Sequence, residues 1–248
     1  MIKFENVSKR FGSIKALEDI SFEISEGEFV FLTGPSGAGK TTILKLILKE
    51  LLPTDGKISV DNQDINKIRG KKICEHRRRI GVVFQDFKLL TDRTVFENVS
   101  LPLEIKKIPL NQIKKEVEET LTAVGLWERR DLFPVQLAGG ELQRTSLARA
   151  IISKPKILLA DEPTGNLDPK TSWQLIELIK NENLKGITII MATHNVKIVD
   201  SLKERVIELQ DGKIVRDQKK ASYEGAKVED KTPEEKSQKE LKKVKKEK

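Results

Sequence analysis

Short apolar segments and longer amphipathic segments alternate along the chain. Residues 29–32 are entirely apolar, which predicts a strand buried on both faces, and residues 157–160 and 188–192 have a similar character. Residues 20–24 and 57–61 alternate between apolar and polar positions, and residues 2–4 form a further short apolar segment. We expect each of these segments to be a β-strand.

Helical periodicity fills much of the space between the predicted strands. The predicted helices cover residues 40–52, 112–124 and 141–152 and the segment around Trp173, Ile176 and Ile179. Near the end, residues 206–209 and 213–215 flank Asp211-Gly212, a hairpin signal. Strands that alternate with helices favour an α/β fold with a mostly parallel sheet, and we find no internal repeat.

Composition restricts the class of protein and its compartment. With 248 residues the chain can form one large domain, and 34% charged residues suit a well-solvated protein. No apolar run approaches the roughly 18 residues of a membrane span. The first residues contain no apolar signal core, and Cys74 is the single cysteine, so we expect a cytoplasmic location.

The net charge of +8 is concentrated at the carboxyl end. Residues 218–248 contain eleven lysines against seven acidic residues, a net of +4, with few apolar side chains. Such a composition predicts a charged, disordered tail, either without a partner or attracted to an anionic membrane surface. Because the rest of the chain is only mildly basic, nucleic-acid binding is not expected.

One stretch carries a specific phosphate-binding pattern. Its residues are Gly34, Pro35, Ser36, Gly37, Ala38, Gly39, Lys40 and Thr41, which match GxxxxGK[ST] between a predicted strand and a predicted helix. The backbone N–H groups and the helix's positive end favour a polyphosphate, Lys40 should reach the β- and γ-phosphates, and Thr41 should bind Mg²⁺. Thr42 belongs to the same predicted site. A glycine-rich turn without function is the alternative, and the complete pattern in this context disfavours it.

Two acidic residues follow the apolar strand at 157–160. Asp161 is placed to help hold the magnesium ion, as a ligand in its outer coordination sphere. Glu162 could orient or deprotonate a water that attacks the γ-phosphate. A solvated strand end would look the same in isolation. The phosphate-binding loop makes the catalytic interpretation the stronger one.

The motifs together resemble the nucleotide-binding subunits of ATP-binding cassette (ABC) transporters. The resemblance covers about residues 1–216 and rests on the phosphate-binding loop, Gln85 after IGVVF, the segment 137–141, Asp161-Glu162, Leu167-Asp168 and His194 after TIIMAT. It implies a P-loop NTPase fold of the ABC type: an α/β protein with a mostly parallel sheet core, an antiparallel β subdomain and an inserted helical subdomain at about 87–152. The ATPase domain would then span residues 1–217.

The resemblance also implies roles for single residues. Gln85 would contact Mg²⁺ and the attacking water, His194 would hydrogen-bond the γ-phosphate, and Asp168 would touch the opposite subunit of a homodimer formed on ATP binding. Phe11 stands where the family places an aromatic residue that stacks on adenine. Each has a plain alternative: a polar strand end for Gln85, a structural histidine for His194 and a core position for Phe11.

The segment QLAGGELQR departs from the family pattern. The family usually has LSGGQ or LSGGE, so Ala138 replaces a serine whose hydroxyl would contact the γ-phosphate across the dimer. That serine, with Glu141, would also form a capping box at the next helix. The backbone N–H groups of Gly139 and Gly140 remain, so we expect a competent but weaker site.

Within the family, ADEPTGNLD resembles the subgroup that contains the FtsE cell-division ATPases and the lipoprotein-release and macrolide-export ATPases. The stretch FQDFKLLTDRTVFENV looks most like the FtsE group. This resemblance implies a peripheral subunit on the cytoplasmic face of the membrane, paired with an integral membrane protein of the FtsX type that regulates cell-wall hydrolysis. Two alternatives stay open at this point: the ATPase of a lipoprotein-release or macrolide-type exporter, and a non-catalytic module that binds nucleotide only to dimerise. A cassette protein of ribosomes or DNA is disfavoured, because those usually carry two cassettes or a long coiled coil.

Overall fold

The central feature of the fold is a six-stranded sheet that carries the phosphate-binding loop. The computed structural model describes residues 2–219, and within them this sheet has the strand order β10-β9-β3-β8-β7-β6. The strands are β3 (Phe29–Thr33), β6 (Ile80–Val83), β7 (Ile157–Asp161), β8 (Thr188–Ala192), β9 (Arg205–Gln210) and β10 (Lys213–Gln218). All neighbours pair in parallel except β9 and β10, which form the predicted antiparallel hairpin.

A second, antiparallel sheet lies at the amino end of the chain. It has the order β2-β1-β4-β5 and consists of β1 (Ile2–Phe11), β2 (Ile14–Ile24), β4 (Asp55–Val60) and β5 (Gln63–Asp64). β1 and β2 are longer than the predicted strands, since their polar halves continue as an exposed hairpin.

Seven α-helices lie between the strands of the described part. They are α1 (Lys40–Ile47), α2 (Lys71–Arg77), α3 (Val95–Ile105), α4 (Leu110–Ala123), α5 (Gly139–Ile151), α6 (Pro169–Leu184) and α7 (Val196–Leu202). Two 3-10 turns, Trp127–Arg129 and Pro134–Gln136, precede α5. Helices α3, α4 and α5 share an apolar core of their own around Val99, Val117 and Leu121, so this region forms an inserted helical unit.

The alternation of side chains along β3 explains why its whole sequence is apolar. Val30 and Leu32 pack into the core shared with α1 and the antiparallel sheet. Phe29 and Phe31 point to the opposite face, into the core that includes parts of α5, α6 and α7. All four side chains are buried, as a strand covered on both faces requires.

Most predicted elements are present, and the differences have local causes. The helix predicted over 40–52 ends at Ile47, because Lys49 takes a left-handed backbone conformation (φ 52°) and its ammonium donates to the carbonyl groups of Ile65, Asn66 and Ile68. Trp173, predicted on the apolar face of α6, is 37% exposed, and that face is formed by Leu175, Ile176 and Ile179. The α/β architecture with its parallel core, antiparallel sheet and helical insertion is confirmed.

The predicted boundary at residue 217 falls just inside the last strand, since β10 includes Gln218. Beyond Lys219, the predicted tail lies outside the described residues. Among the described helices, none is both long and apolar enough to cross a membrane.

Candidate nucleotide-binding site

The carboxyl ends of four parallel strands open into one cavity of about 580 Å³. Ser36, Gly37, Ala38, Gly39, Lys40, Thr41, Thr42, Gln85, Glu162 and His194 line it. The phosphate-binding loop follows β3, Gln85 follows β6, Glu162 follows β7 and His194 follows β8. Parallel sheets place ligand sites at these strand ends, so the topology itself brings together residues far apart in sequence.

The loop is shaped by Gly39 and closed by Lys40. Gly39 caps α1 with φ 106°, and a Cβ there would lie 2.7 Å from the Ala16 carbonyl oxygen, so glycine is required for this approach of β2. The buried Lys40 ammonium donates to the carbonyl oxygens of Gly34 at 2.8 Å and Pro35 at 3.0 Å. Its positive charge therefore lies next to the first two residues of the phosphate-binding loop.

Thr41 and Asp161 form the candidate metal-binding pair. Thr41 Oγ1 lies 3.1 Å from Asp161 Oδ1. Burial raises the pKa of Asp161, the hydrogen bond from Thr41 opposes that shift, and the neighbouring charge of Glu162 adds to it. A carboxylate in this environment gains from a nearby cation.

These two oxygen groups suit a Mg²⁺ ion that is also bound by phosphates and water, and they are too few for a metal site made of protein groups alone. Within residues 2–219 no cluster of three or more His, Cys, Asp or Glu side chains forms a metal site. Mg²⁺ prefers oxygen ligands and is commonly bound by one or two protein groups together with phosphates and water. The hydroxyl of Thr41 and the carboxylate of Asp161 fit that description.

Glu162 and His194 are in direct contact with each other in the cavity. His194 Nδ1 lies 2.7 Å from Glu162 Oε2. Glu162 itself has a left-handed backbone (φ 48°), and its N–H donates to the Ala192 carbonyl oxygen at 2.9 Å. Such a conformation costs a non-glycine residue about 1–2 kcal/mol and is typical of functional positions. The strand end is thus bent in a way that aims the acid at the cavity.

Phe11 lies apart from these residues, at the turn between β1 and β2. Its ring is 44% exposed, which rules out the alternative of a core position. The ammonium of Lys9 lies 5.0 Å from the ring centroid. Because the same hairpin approaches the loop at Ala16 and Gly39, the exposed ring is on the element that borders the phosphate-binding loop.

The glycine-pair segment does not reach the cavity of its own chain. Ala138 and Gly139 are exposed at the start of α5, and the Ala138 N–H donates to the Glu141 carboxylate at 2.9 Å. This is half of a capping box, since alanine has no oxygen to accept from the helix. Gly140 packs so closely on Thr171 of α6 that a Cβ would overlap its side chain.

Asp168 is also outside the cavity and has a local structural role. Its carboxylate accepts the N–H of Thr171 at 3.1 Å as the N-cap of α6. The hydrogen bonds from Thr171 lower the pKa of Asp168. Because α5 and α6 meet at Gly140 and Thr171, this cap and the glycine-pair segment belong to one surface.

A second depression, of about 370 Å³, lies beside Gln85 and was not predicted from the sequence. Its lining contains five cationic side chains and no acidic one: Arg77, Arg78, Lys88, Lys106 and Arg149. We call it the basic groove. Its apolar lining comes mainly from Ile80 and Val82 of β6 and Leu101, Pro102 and Ile105 of α3. Burial and then the charge of Arg78 lower the pKa of Lys106, as expected where cations crowd together.

Comparison with known proteins agrees with this geometry. A family model described as ABC transporter matches residues 17–165. The cell division ATP-binding protein FtsE of Bacillus subtilis is 49% identical over 224 residues, which cover 90% of this chain and 98% of that protein. FtsE of Escherichia coli K12 is 45% identical over 213 residues, covering 86% and 96%.

Solved structures show the same fold. The dimeric bacterial ABC transporter cassette MJ0796 superposes with a TM-score of 0.83 at 38% identity, covering 90% of this chain and all of that one. A dimeric post-hydrolysis state of that cassette, bound to ADP and Pi, gives a TM-score of 0.82 at 37% identity, with the same coverage. The chain therefore belongs to the ABC transporter family, as an ATP-binding cassette of the FtsE type.

Proposed function

We propose that this chain binds and hydrolyses ATP with Mg²⁺, as the peripheral subunit of an FtsEX-type complex on the cytoplasmic face of the cell membrane. The observation that carries the proposal is the single cavity in which the phosphate-binding loop meets Gln85, Glu162 and His194. A phosphate-sized anion bound to this loop would lie against a carboxylate and an imidazole already in contact with each other.

The loop residues would bind the nucleotide. The backbone N–H groups from Ser36 to Thr42 and the positive end of α1 attract the phosphates, and Lys40 can exchange its two carbonyl partners for phosphate oxygens. Thr41 and Asp161 would hold Mg²⁺, which supplies charge neutralisation at the β- and γ-phosphates. Phe11 would stack on the adenine.

Glu162 and His194 would carry the hydrolytic step. Glu162 accepts a hydrogen bond from the attacking water and takes its proton, and the Glu162–His194 contact fixes the orientation of both side chains. When both of its ring nitrogens carry a proton, His194 can donate to Glu162 through Nδ1 and to the γ-phosphate through Nε2. Gln85, an exposed residue of the cavity lining, would position the water and contact Mg²⁺.

A homodimer would complete each site. Five predicted site residues do not line the cavity of their own chain: Ala138, Gly139, Gly140, Glu141 and Asp168. They would serve the nucleotide of a second copy. The dimeric cassettes of similar fold support this arrangement. ATP would then join the two subunits, and loss of phosphate after hydrolysis would remove the hydrogen bonds that hold them together.

The basic groove beside Gln85 is the proposed contact with an integral membrane protein of the FtsX type. Only Lys88 among its five cations has a recorded carboxylate partner within residues 2–219, namely Asp86 at 2.7 Å. A groove with apolar lining residues and several cations favours binding of a partner segment that is apolar and carries carboxylates. The similar proteins are cell division ATP-binding proteins, which favours a cell-division complex over an exporter.

The experiment is co-purification of the full chain from membranes of its own organism, with mass spectrometry of bound proteins and an ATPase assay of the complex. We expect one integral membrane protein of the FtsX type and ATP hydrolysis that requires Mg²⁺. Recovery of a large pump subunit instead would favour the exporter function. A complex that binds ATP without hydrolysing it would favour the non-catalytic module.

A further inference from the structure

Helix α5 holds the backbone on both sides of Gln85. Three of its side chains, on successive turns, donate to carbonyl groups of this segment. Gln143 donates to Phe84 at 3.4 Å, and Ser146 donates to Phe87 at 3.3 Å. Arg149 completes the series. We call the segment 84–88 the Gln85 loop.

Arg149 makes the strongest of these contacts. Its two terminal nitrogens donate to the carbonyl oxygens of Phe87 at 2.9 Å and Lys88 at 2.8 Å. No carboxylate within residues 2–219 is recorded as its ion-pair partner, and burial lowers the pKa of its guanidinium, which still remains charged. A planar fork of this kind can hold two adjacent carbonyl groups at once, whereas a lysine ammonium cannot reproduce that geometry.

The segment it holds is not in a relaxed conformation. Phe87 and Lys88 both have left-handed backbones, with φ of 61° and 50°. Two consecutive non-glycine residues in this region are unfavourable without outside support. The guanidinium of Arg149 supplies that support, so the shape of the Gln85 loop depends on α5.

The other end of α5 is the glycine-pair segment. The helix has 13 residues and is therefore about 20 Å long. Near its carboxyl end it packs directly on β6, where a Cβ on Gly81 would overlap the Ala150 carbonyl group. One continuous helix thus links the Gln85 loop to Gly139 and Gly140.

We propose that Arg149 is a positioning residue that makes the Gln85 loop and the glycine-pair segment move together, and thereby couples the two ATP sites of the dimer. The inference rests on the proposed function. Within a dimer, Gln85 lies at the ATP of its own subunit while Gly139 and Gly140 lie at the ATP of the other subunit. A shift of the Gln85 loop on ATP binding is therefore transmitted along α5 to the opposite site.

The test is hydrogen–deuterium exchange of the full chain with and without MgATP, in a Glu162→Gln background that prevents turnover. The protein is kept at a dilution at which sedimentation velocity shows a monomer, so a second subunit cannot protect the glycine pair directly. We expect ATP to slow exchange severalfold at residues 34–42, by direct contact, and at residues 139–142, through α5.

Arg149→Lys should keep the protection at residues 34–42 and lose the response at residues 139–142. Arg149→Gln, which retains one donor, provides a second folded variant with the same expected loss. Lys154→Gln is the matched control, because Lys154 follows the same helix but pairs with Glu116 on α4, and it should behave as the parent. Thermal melting of each variant shows whether it is folded.

Two results would overturn the coupling alone: an unchanged response at 139–142 in both Arg149 variants, or no response there in the parent while residues 34–42 are protected. Absence of protection at residues 34–42 in the parent would instead contradict ATP binding, and with it the proposed function.

Discussion

Thr41 and Asp161 lie 120 positions apart in the sequence, yet the Thr41 hydroxyl is 3.1 Å from the Asp161 carboxylate. The contact joins the first turn of α1 to the last residue of β7. It places two oxygen atoms side by side, one on the exposed Thr41 and one on the partly buried Asp161. The pKa of Asp161 is raised because burial penalises its charge.

Asp161→Asn should stabilise the nucleotide-free protein while destroying its activity. Because the folded pKa is raised, the folded chain binds more protons than the unfolded chain between the two pKa values, and stability falls as pH rises through that window. Removing the charge should therefore raise the melting temperature at neutral pH, by about 2–4 °C per kcal/mol gained. Mg²⁺-dependent ATP hydrolysis should fall by about 100-fold or more.

The control for this prediction is Asp131→Asn, which removes an exposed carboxylate that is not part of the cavity lining. It should leave both the melting temperature and hydrolysis near the parent values. A lower melting temperature for Asp161→Asn at neutral pH would contradict the account of this carboxylate.

Ala138→Ser should strengthen both the helix and the dimer. Ala138 has the extended backbone of an N-cap (φ −71°, ψ 158°), and Glu141 already accepts its N–H. A serine hydroxyl would complete the capping box and add about 1 kcal/mol, or about 2–4 °C in melting temperature. We also expect ATP-driven dimerisation, measured by sedimentation, to increase severalfold. Ala138→Gly, which adds no hydroxyl, should leave ATP-driven dimerisation at the parent level.

Much of the fold was predictable because its signals are local. The apolar run of β3 and the glycine pattern after it specify a buried strand and a phosphate-binding turn before any tertiary contact is known. Helix α3 is not among the predicted helices, although the T-x-x-E spacing of its capping residues, Thr94 and Glu97, is visible in the sequence.

Other parts of the site could not be read from the sequence. The backbone contacts of Arg149 arise only when α5 packs beside the Gln85 loop, and an arginine in a helix gives no sign of them. The basic groove likewise forms from α2, β6, α3 and α5 together. The early end of α1 depends on Lys49, whose carbonyl partners lie 16 to 19 residues further along the chain.

Phe11→Ala should weaken ATP binding without unfolding the protein. The ring is 44% exposed, so its removal leaves no cavity in the core. Loss of one aromatic stacking contact, worth about 0.5–1.5 kcal/mol, should raise the ATP dissociation constant by about 2- to 10-fold. Isothermal titration with ATP measures the change. Phe11→Tyr, which keeps the ring face, should bind as the parent does, and equal affinity of all three proteins would contradict the stacking role.

Arg78→Glu should weaken the contact with the membrane partner. The side chain is exposed at the basic groove, and a charge reversal there opposes a segment that carries carboxylates. We expect recovery of the membrane partner in co-purification to fall by about 10-fold, which corresponds to about 1.4 kcal/mol. Lys115→Glu makes the same charge change on the exposed face of α4 and should retain the partner. Equal recovery with both variants would show that the partner binds elsewhere.

The most direct test of the central claim compares the parent with Glu162→Gln in two assays: ATP hydrolysis in the complex with its membrane partner, and MgATP-dependent dimerisation of the isolated subunit. Glutamine keeps the shape of Glu162 but cannot take a proton, so hydrolysis should fall by at least about 100-fold while the ATP-bound dimer persists. Glu177→Gln, at an exposed position of α6, should match the parent in both assays. Hydrolysis by Glu162→Gln at the parent rate, or the absence of any ATP-dependent dimer, would contradict the account.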